Sequence, residues 1–205
     1  AAVQLPGSGP FRVASFTPGQ TLALEANADY WDGAPALEGV RIVNIPELSG
    51  RITALLNDEI DVTWNIPDDQ LGVLQDSNDV EVQLAPSVFY LYSWFNAGRK
   101  PFDDARVRRA LWHAVDVEQV VKDLLPVTGT LAKAPIASTV FGWAEQQPYA
   151  YDPEKAKQLL AEAGYADGFS AELKYSVNFG SSIDQIAQTF SAYWSEIGVD
   201  IRPMQ

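Results

Sequence analysis

Side chains that usually carry covalent chemistry are scarce in this chain of 205 residues. There is one histidine, His113, and no cysteine, so disulfides, thiolate metal sites and cysteine nucleophiles are excluded. His113 stands between Trp112 and Ala114, a setting that predicts a packing or surface residue rather than a general base. Carboxylates are plentiful but poorly spaced for work. Asp58, Glu59 and Asp61 cluster at a helix exit and lack the glycine-centred spacing of a calcium loop. The pairs Asp68-Asp69 and Asp103-Asp104 stand where helix caps are expected. Gly7-Ser8-Gly9 precedes an extended run and lacks the lysine of a phosphate-cradling loop, so it reads as a turn. The expected sets of catalytic residues, metal ligands and cofactors are therefore all empty.

Aromatic platforms and amides remain, and concave ligand sites are built from such groups. Trp94 and Asn96 lie on one predicted extended run, Phe141 and Trp143 on a long loop. Asn178, Phe179 and Ser181 belong to a loop that joins a predicted strand to a helix start. In an open α/β sheet such a loop faces the ligand crevice, and the helix N-terminus can hold a polar or anionic group. For Trp94 and Phe141 core packing is the competing reading; for residues 178–182 it is a plain surface turn.

The elements that must hold these residues follow from period and punctuation. Phe11 to Phe16 and Thr21 to Glu25, separated by Thr17-Pro18-Gly19-Gln20, predict a β-hairpin. Asn27 to Leu37 is a loop whose Tyr30 and Trp31 are expected to plug it by packing. Val40 to Ile45 predicts a strand, Leu48 to Asn57 a helix, and Ile60 to Trp64 and Val80 to Leu84 two more strands around a helix that starts at Pro67 and turns Leu71 and Leu74 inward. Tyr90 to Asn96 reads as a buried strand crossing between two lobes. Its alternation sets Tyr92, Trp94 and Asn96 on one face and Leu91, Ser93 and Phe95 on the other. Helices follow over Ala105 to Ala114 and Val117 to Leu125, with Asp116 as the cap between them. Residues 126–148 form a long loop. Asp152-Pro153 and Gly164 bracket the most regular helix, Phe169 to Val177 predicts a strand, Ile183 to Ile197 a second apolar-faced helix ended by Gly198, and Val199 to Arg202 a strand.

Fourteen basic against twenty-seven acidic residues give a formal charge of −13, which repels nucleic acid and anionic membrane surfaces. The composition is 47% hydrophobic, enough to supply a core. The first residues, AAVQLPGSGPFRV, lack the basic head and apolar core of a signal peptide.

Several motifs occur in an order that resembles one family. They are Gly7-Ser8-Gly9-Pro10-Phe11, Asn27-Ala28-Asp29-Tyr30-Trp31, Leu55-Leu56-Asn57-Asp58-Glu59-Ile60-Asp61, Lys100-Pro101-Phe102-Asp103-Asp104-Ala105-Arg106-Val107-Arg108-Arg109-Ala110-Leu111 and Tyr151-Asp152-Pro153-Glu154-Lys155-Ala156. Together the chain resembles the bacterial extracellular solute-binding proteins of family 5, the peptide, nickel and oligosaccharide class. The resemblance implies an α/β, two-lobed, periplasmic-binding-protein-like fold (type II, peptide-binding class), here with incomplete lobes joined at a hinge: residues 1–92 in the first lobe and 93–205 in the second. It implies that this chain is part of a longer one, working outside the cytoplasm and in some members held to the membrane by an N-terminal anchor. It further implies capture of a small solute, most readily a peptide, and delivery to the transmembrane permease of an ABC importer. Some dipeptide-binding members carry an arginine in the loop matching Asn178 to Ser182. None stands there in this sequence, and the family's acidic partner for a peptide amino group would lie past Gln205. Two other functions compete: a hydrolase of oligosaccharides using two carboxylates, and a structural or interaction module that binds no solute. Incomplete sheets would leave edges open to self-association.

Overall fold

The computed structural model describes residues 7–176 and 182–205. They fall into two compact units that divide between Ile66 and Pro67.

In the first unit, β1 (Phe11–Thr17), β2 (Thr21–Ala26) and β3 (Gly39–Val43) form an antiparallel sheet in that order. The hairpin closes through Gln20 N–H donating to the Thr17 carbonyl, with Gly19 at φ 71°, a left-handed value that favours glycine. An irregularity between Val13 and Ser15 bulges β1. Asn27, buried, ends the hairpin: its Nδ2 donates to the Gly9 carbonyl and its Oδ1 accepts from Asp29 N–H, each at 3.2 Å. Helix α1 (Leu48–Leu56) buries Ile52 and Ala54. Ile60 to Trp64 is not a strand, and Val62 and Trp64 are exposed. Trp31, expected as a plug, is 77% exposed; its neighbour Tyr30 is the ring it meets, 5.3 Å away.

The second unit holds α2 (Asp68–Gln75), α3 (Ala105–His113), α4 (Val117–Leu124), α5 (Pro153–Glu162), α6 (Ser182–Ser195) and a parallel pair, β4 (Phe169–Lys174) with β5 (Val199–Met204). Its core joins α3, α5, α6 and β5 around Val107, Leu111, Leu160, Trp194 and Val199. The caps act as the sequence predicts at three helices. Asp104 accepts from Arg106 N–H, Asp116 from Gln119 N–H and Asp152 from Lys155 N–H, at 2.8–2.9 Å.

The end of α3 is where the second unit is tied together. The last carbonyls of a helix have no partner within it, and here each finds one. Ala110 and Trp112 carbonyls accept from Ala114 and Val115 N–H; the Leu111 carbonyl accepts from Trp194 Nε1 of α6 at 2.9 Å, and the His113 carbonyl from Asp152 N–H at 2.8 Å. Where β4 and β5 begin, Gly168 (φ 77°) lies against Gly198, and a Cβ on Gly168 would sit 1.7 Å from the Gly198 carbonyl oxygen.

Two further expectations change here. Asp68 does not cap α2. Its carboxylate reaches across to Val127 N–H (2.7 Å), Thr128 N–H (3.0 Å) and the Thr128 hydroxyl, fastening α2 to the start of the long loop. These bonds, and one from Thr139 Oγ1 to the Ser87 carbonyl (3.2 Å), tie residues 67–92 to residues 127–139 within the second unit. Val80 to Leu84 and Tyr90 to Asn96 lack a ladder: β4 and β5 pair only with each other among the described residues, and an extended run without a neighbour is not a strand.

Candidate functional site

Residues 90–96 keep the geometry of a strand without its partner. Tyr90 and Tyr92 stack at 5.5 Å, and Tyr92 and Trp94 meet tilted at 45° with 4.8 Å between ring centroids, so alternate side chains share one face as extended backbone requires. Phe95 points the other way, 5.6 Å from Phe102 and edge-on to Trp112 at 6.4 Å. Phe95 anchors the segment on the core; Leu91, expected beside it, is 43% exposed. Trp94 is 82% exposed and Phe141 wholly so, and neither belongs to the core of this structure. Asn96 is exposed and opens a turn: its Oδ1 accepts from Gly98 N–H (3.2 Å) and its carbonyl from Arg99 N–H (3.0 Å). Its Nδ2 has no hydrogen-bond partner among the described residues, leaving two donors free.

The long loop is ordered by its own bonds. Lys133 Nζ pairs with Glu145 at 2.7 Å, and the Lys133 carbonyl accepts from Gln146 N–H at 2.7 Å, closing the loop at its base. Within it Val140 N–H donates to Ala137 and Trp143 N–H to Val140. Gly142 at φ 89° lets the chain reverse between Phe141, which points to solvent, and Trp143, which is half-buried. Through Thr139 and Ser87 the loop is fastened just upstream of the aromatic run. Asn178, Phe179 and Ser181 lie outside the described residues.

Sequence reasoning missed a polar network at the carboxyl ends of β4 and β5. Asp184 in the first turn of α6 accepts from the Tyr175 hydroxyl, from Gln188 Nε2 at 2.8 Å and from Gln205 Nε2 at 3.3 Å. The bond to Asp184 holds the Tyr175 hydroxyl above its ordinary pKa. These four residues are spread over thirty positions of no regular spacing, so nothing local signals them. His113 is half-buried, donates from Nδ1 to the Ala150 carbonyl at 2.8 Å and meets Tyr149 edge-on. It packs. Among the described residues no group of three or more acidic, histidine or cysteine side chains could hold a metal ion.

The arrangement offers exposed aromatic faces and amide donors, which can stack and hydrogen-bond. Comparison with known proteins decides the family. The model of the bacterial extracellular solute-binding proteins, family 5 middle, matches residues 2–205. The chain belongs to that family. Members of family 5 are solute-binding proteins, not enzymes, and are periplasmic or extracellular. Heme-binding protein A of Haemophilus influenzae is 32% identical over 204 residues, 97% of this chain and 37% of that protein. The dipeptide-binding protein of Escherichia coli is 30% identical over 201 residues, 96% of this chain and 37% of that one. Among solved structures, the dipeptide-binding protein of Pseudoalteromonas in complex with Met-Leu has a TM-score of 0.74 at 29% identity, covering 96% of this chain and 39% of its own. This family 5 chain thus spans less than two fifths of the relatives' length. Its fold is α/β, of the type II periplasmic-binding class that binds peptides. No helix among the described residues is long and apolar enough to cross a membrane.

Proposed function

We propose that this chain is part of the substrate-binding component of an ABC importer, which captures a small solute, an oligopeptide first of all, and delivers it to the membrane permease. The observation that carries the reading is the family match over residues 2–205, with a Met-Leu complex among the structures it resembles. The ladder of Tyr90, Tyr92 and Trp94 supports it: exposed aromatic area two residues from an amide whose Nδ2 is free suits a ligand with apolar side chains and a polar backbone. Trp94, Asn96, Phe141, Trp143, Asn178, Phe179 and Ser181 are the proposed ligand contacts. The reading includes a lobe boundary between residues 92 and 93, a property of the longer protein distinct from the compact units of this stretch. Ligand binding favours a closed form of the two lobes and shifts the population toward it, and the permease recognises that form. On this reading the full-length protein works in the periplasm or outside the cell, with membrane association through an N-terminal anchor expected in some members of the family.

Incubating the full-length protein with peptides and with oligosaccharides, while following both binding and product, tests the reading. Saturable peptide binding without product is expected. Oligosaccharide turnover would establish the two-carboxylate hydrolase instead, and binding of neither would leave an interaction module.

A further inference from the structure

We propose that the basic face formed by α3 and the turn before it docks an acidic segment of a protein partner, which on the importer reading is the permease. Only the partner's identity rests on that reading. Five of the fourteen lysines and arginines, Arg99, Lys100, Arg106, Arg108 and Arg109, fall between positions 99 and 109 of a chain whose net charge is −13. Two of the five are engaged. Arg106 donates from Nε to both Asp104 oxygens at 3.1 Å and from Nη1 to the Glu162 carbonyl. Arg108 donates from Nη1 to the Phe102 and Asp103 carbonyls, at 2.7 and 3.2 Å.

The side chains of Arg99, Lys100 and Arg109 are exposed and have no hydrogen bond or ion pair among the described residues. Arg109 and Arg108 line an open hollow of about 290 Å³ whose other walls include the rings of Phe95, Trp112 and Tyr149. A second hollow, of about 510 Å³, shares Ala105 with the first and is lined by Lys100 together with the carboxylates Asp103 and Asp104, the latter already held by Arg106. A free guanidinium presents a fork that matches a carboxylate, and aromatic walls take an apolar neighbour while shedding water. The first hollow admits a side chain or two, whereas the cations run beyond it along the turn. That extent favours an acidic stretch of a partner over one small anion. The negative charge elsewhere on the chain repels such a partner, so the field steers it to this face.

Association of the ligand-loaded, full-length protein with its permease in lipid nanodiscs is the test, measured at low and high salt for the wild type and for the double charge reversal Arg99→Glu with Arg109→Glu. Both positions are exposed and outside the proposed ligand contacts, so peptide affinity should stay unchanged and report that the variant folds. Association should slow at least tenfold in the variant, and the deficit should shrink as salt rises. Equal association rates at both salt concentrations would overturn the proposal. So would saturable binding of free glutarate that Arg109→Gln abolishes while permease association persists, because the hollow would then be a small-anion site. Failure of the wild type to bind any peptide would refute the importer reading by a separate readout.

Discussion

Trp94 leaves 82% of its surface to solvent while its ring meets Tyr92 at 4.8 Å, so little of the fold depends on it. If it contacts ligand in the full-length protein, Trp94→Ala should weaken peptide binding by ~1 to 3 kcal/mol, the range for losing a well-packed aromatic contact, and barely change the melting temperature. A large fall in melting temperature with unchanged affinity would assign it to the core. Asp104 offers a test by pH. Hydrogen bonds from the Arg106 side chain and backbone N–H hold its carboxyl at about 2, below its ordinary 3.8. A depressed folded-state pKa stabilises the fold above the ordinary value, and that contribution fades as pH falls from 3.8 to about 2. The urea midpoints of wild type and Asp104→Asn should therefore differ above pH 4 and converge near pH 2. A gap that persists at pH 2 would show that the carboxylate charge is not what stabilises this helix start.

Helix α3 gives the clearest element-scale prediction. Trp194 is 3% exposed, and its Nε1 supplies the Leu111 carbonyl with the partner that the helix cannot. Trp194→Phe fills most of the same space but strands that carbonyl, and should cost ~1 to 3 kcal/mol in chemical denaturation. An unchanged unfolding free energy would mean that water or a shifted helix end replaces the bond. At the start of the parallel pair, Gly168→Ala should prevent β4 and β5 from meeting as they do, since the added carbon would lie 1.7 Å from the Gly198 carbonyl oxygen; circular dichroism and yield of soluble protein report it. The hairpin, α5 and α6 were legible because their signals are local: turn residues, a cap before a proline, apolar residues at helical spacing. Ile60 to Trp64, Val80 to Leu84 and Tyr90 to Asn96 were misread as strands for the converse reason. Period two specifies which face a side chain takes, as the Tyr90–Tyr92–Trp94 ladder shows, but a ladder also needs a neighbour that the local pattern cannot supply. Asp68 was misassigned in the same way, its partners being 59 and 60 residues distant.

At the scale of the whole molecule, charge and exposed backbone act against each other. Residues 82–98 contain no charged side chain, and Val88, Phe89, Tyr92 and Trp94 within them are at least half exposed. A stretch of this kind, uncharged, extended and unpaired, invites pairing with another chain, while a net charge of −13 opposes close approach. This 205-residue chain should associate weakly, more at high salt than at low, and a monomeric light-scattering profile at high concentration in both would contradict that. The central claim, capture of a peptide, is tested most directly by calorimetric titration of the full-length protein with Met-Leu and longer peptides. Saturable heat of one site per chain, with the peptide recovered uncleaved, is the predicted result; absence of saturable heat across the peptides, or recovery of cleaved product, would contradict it.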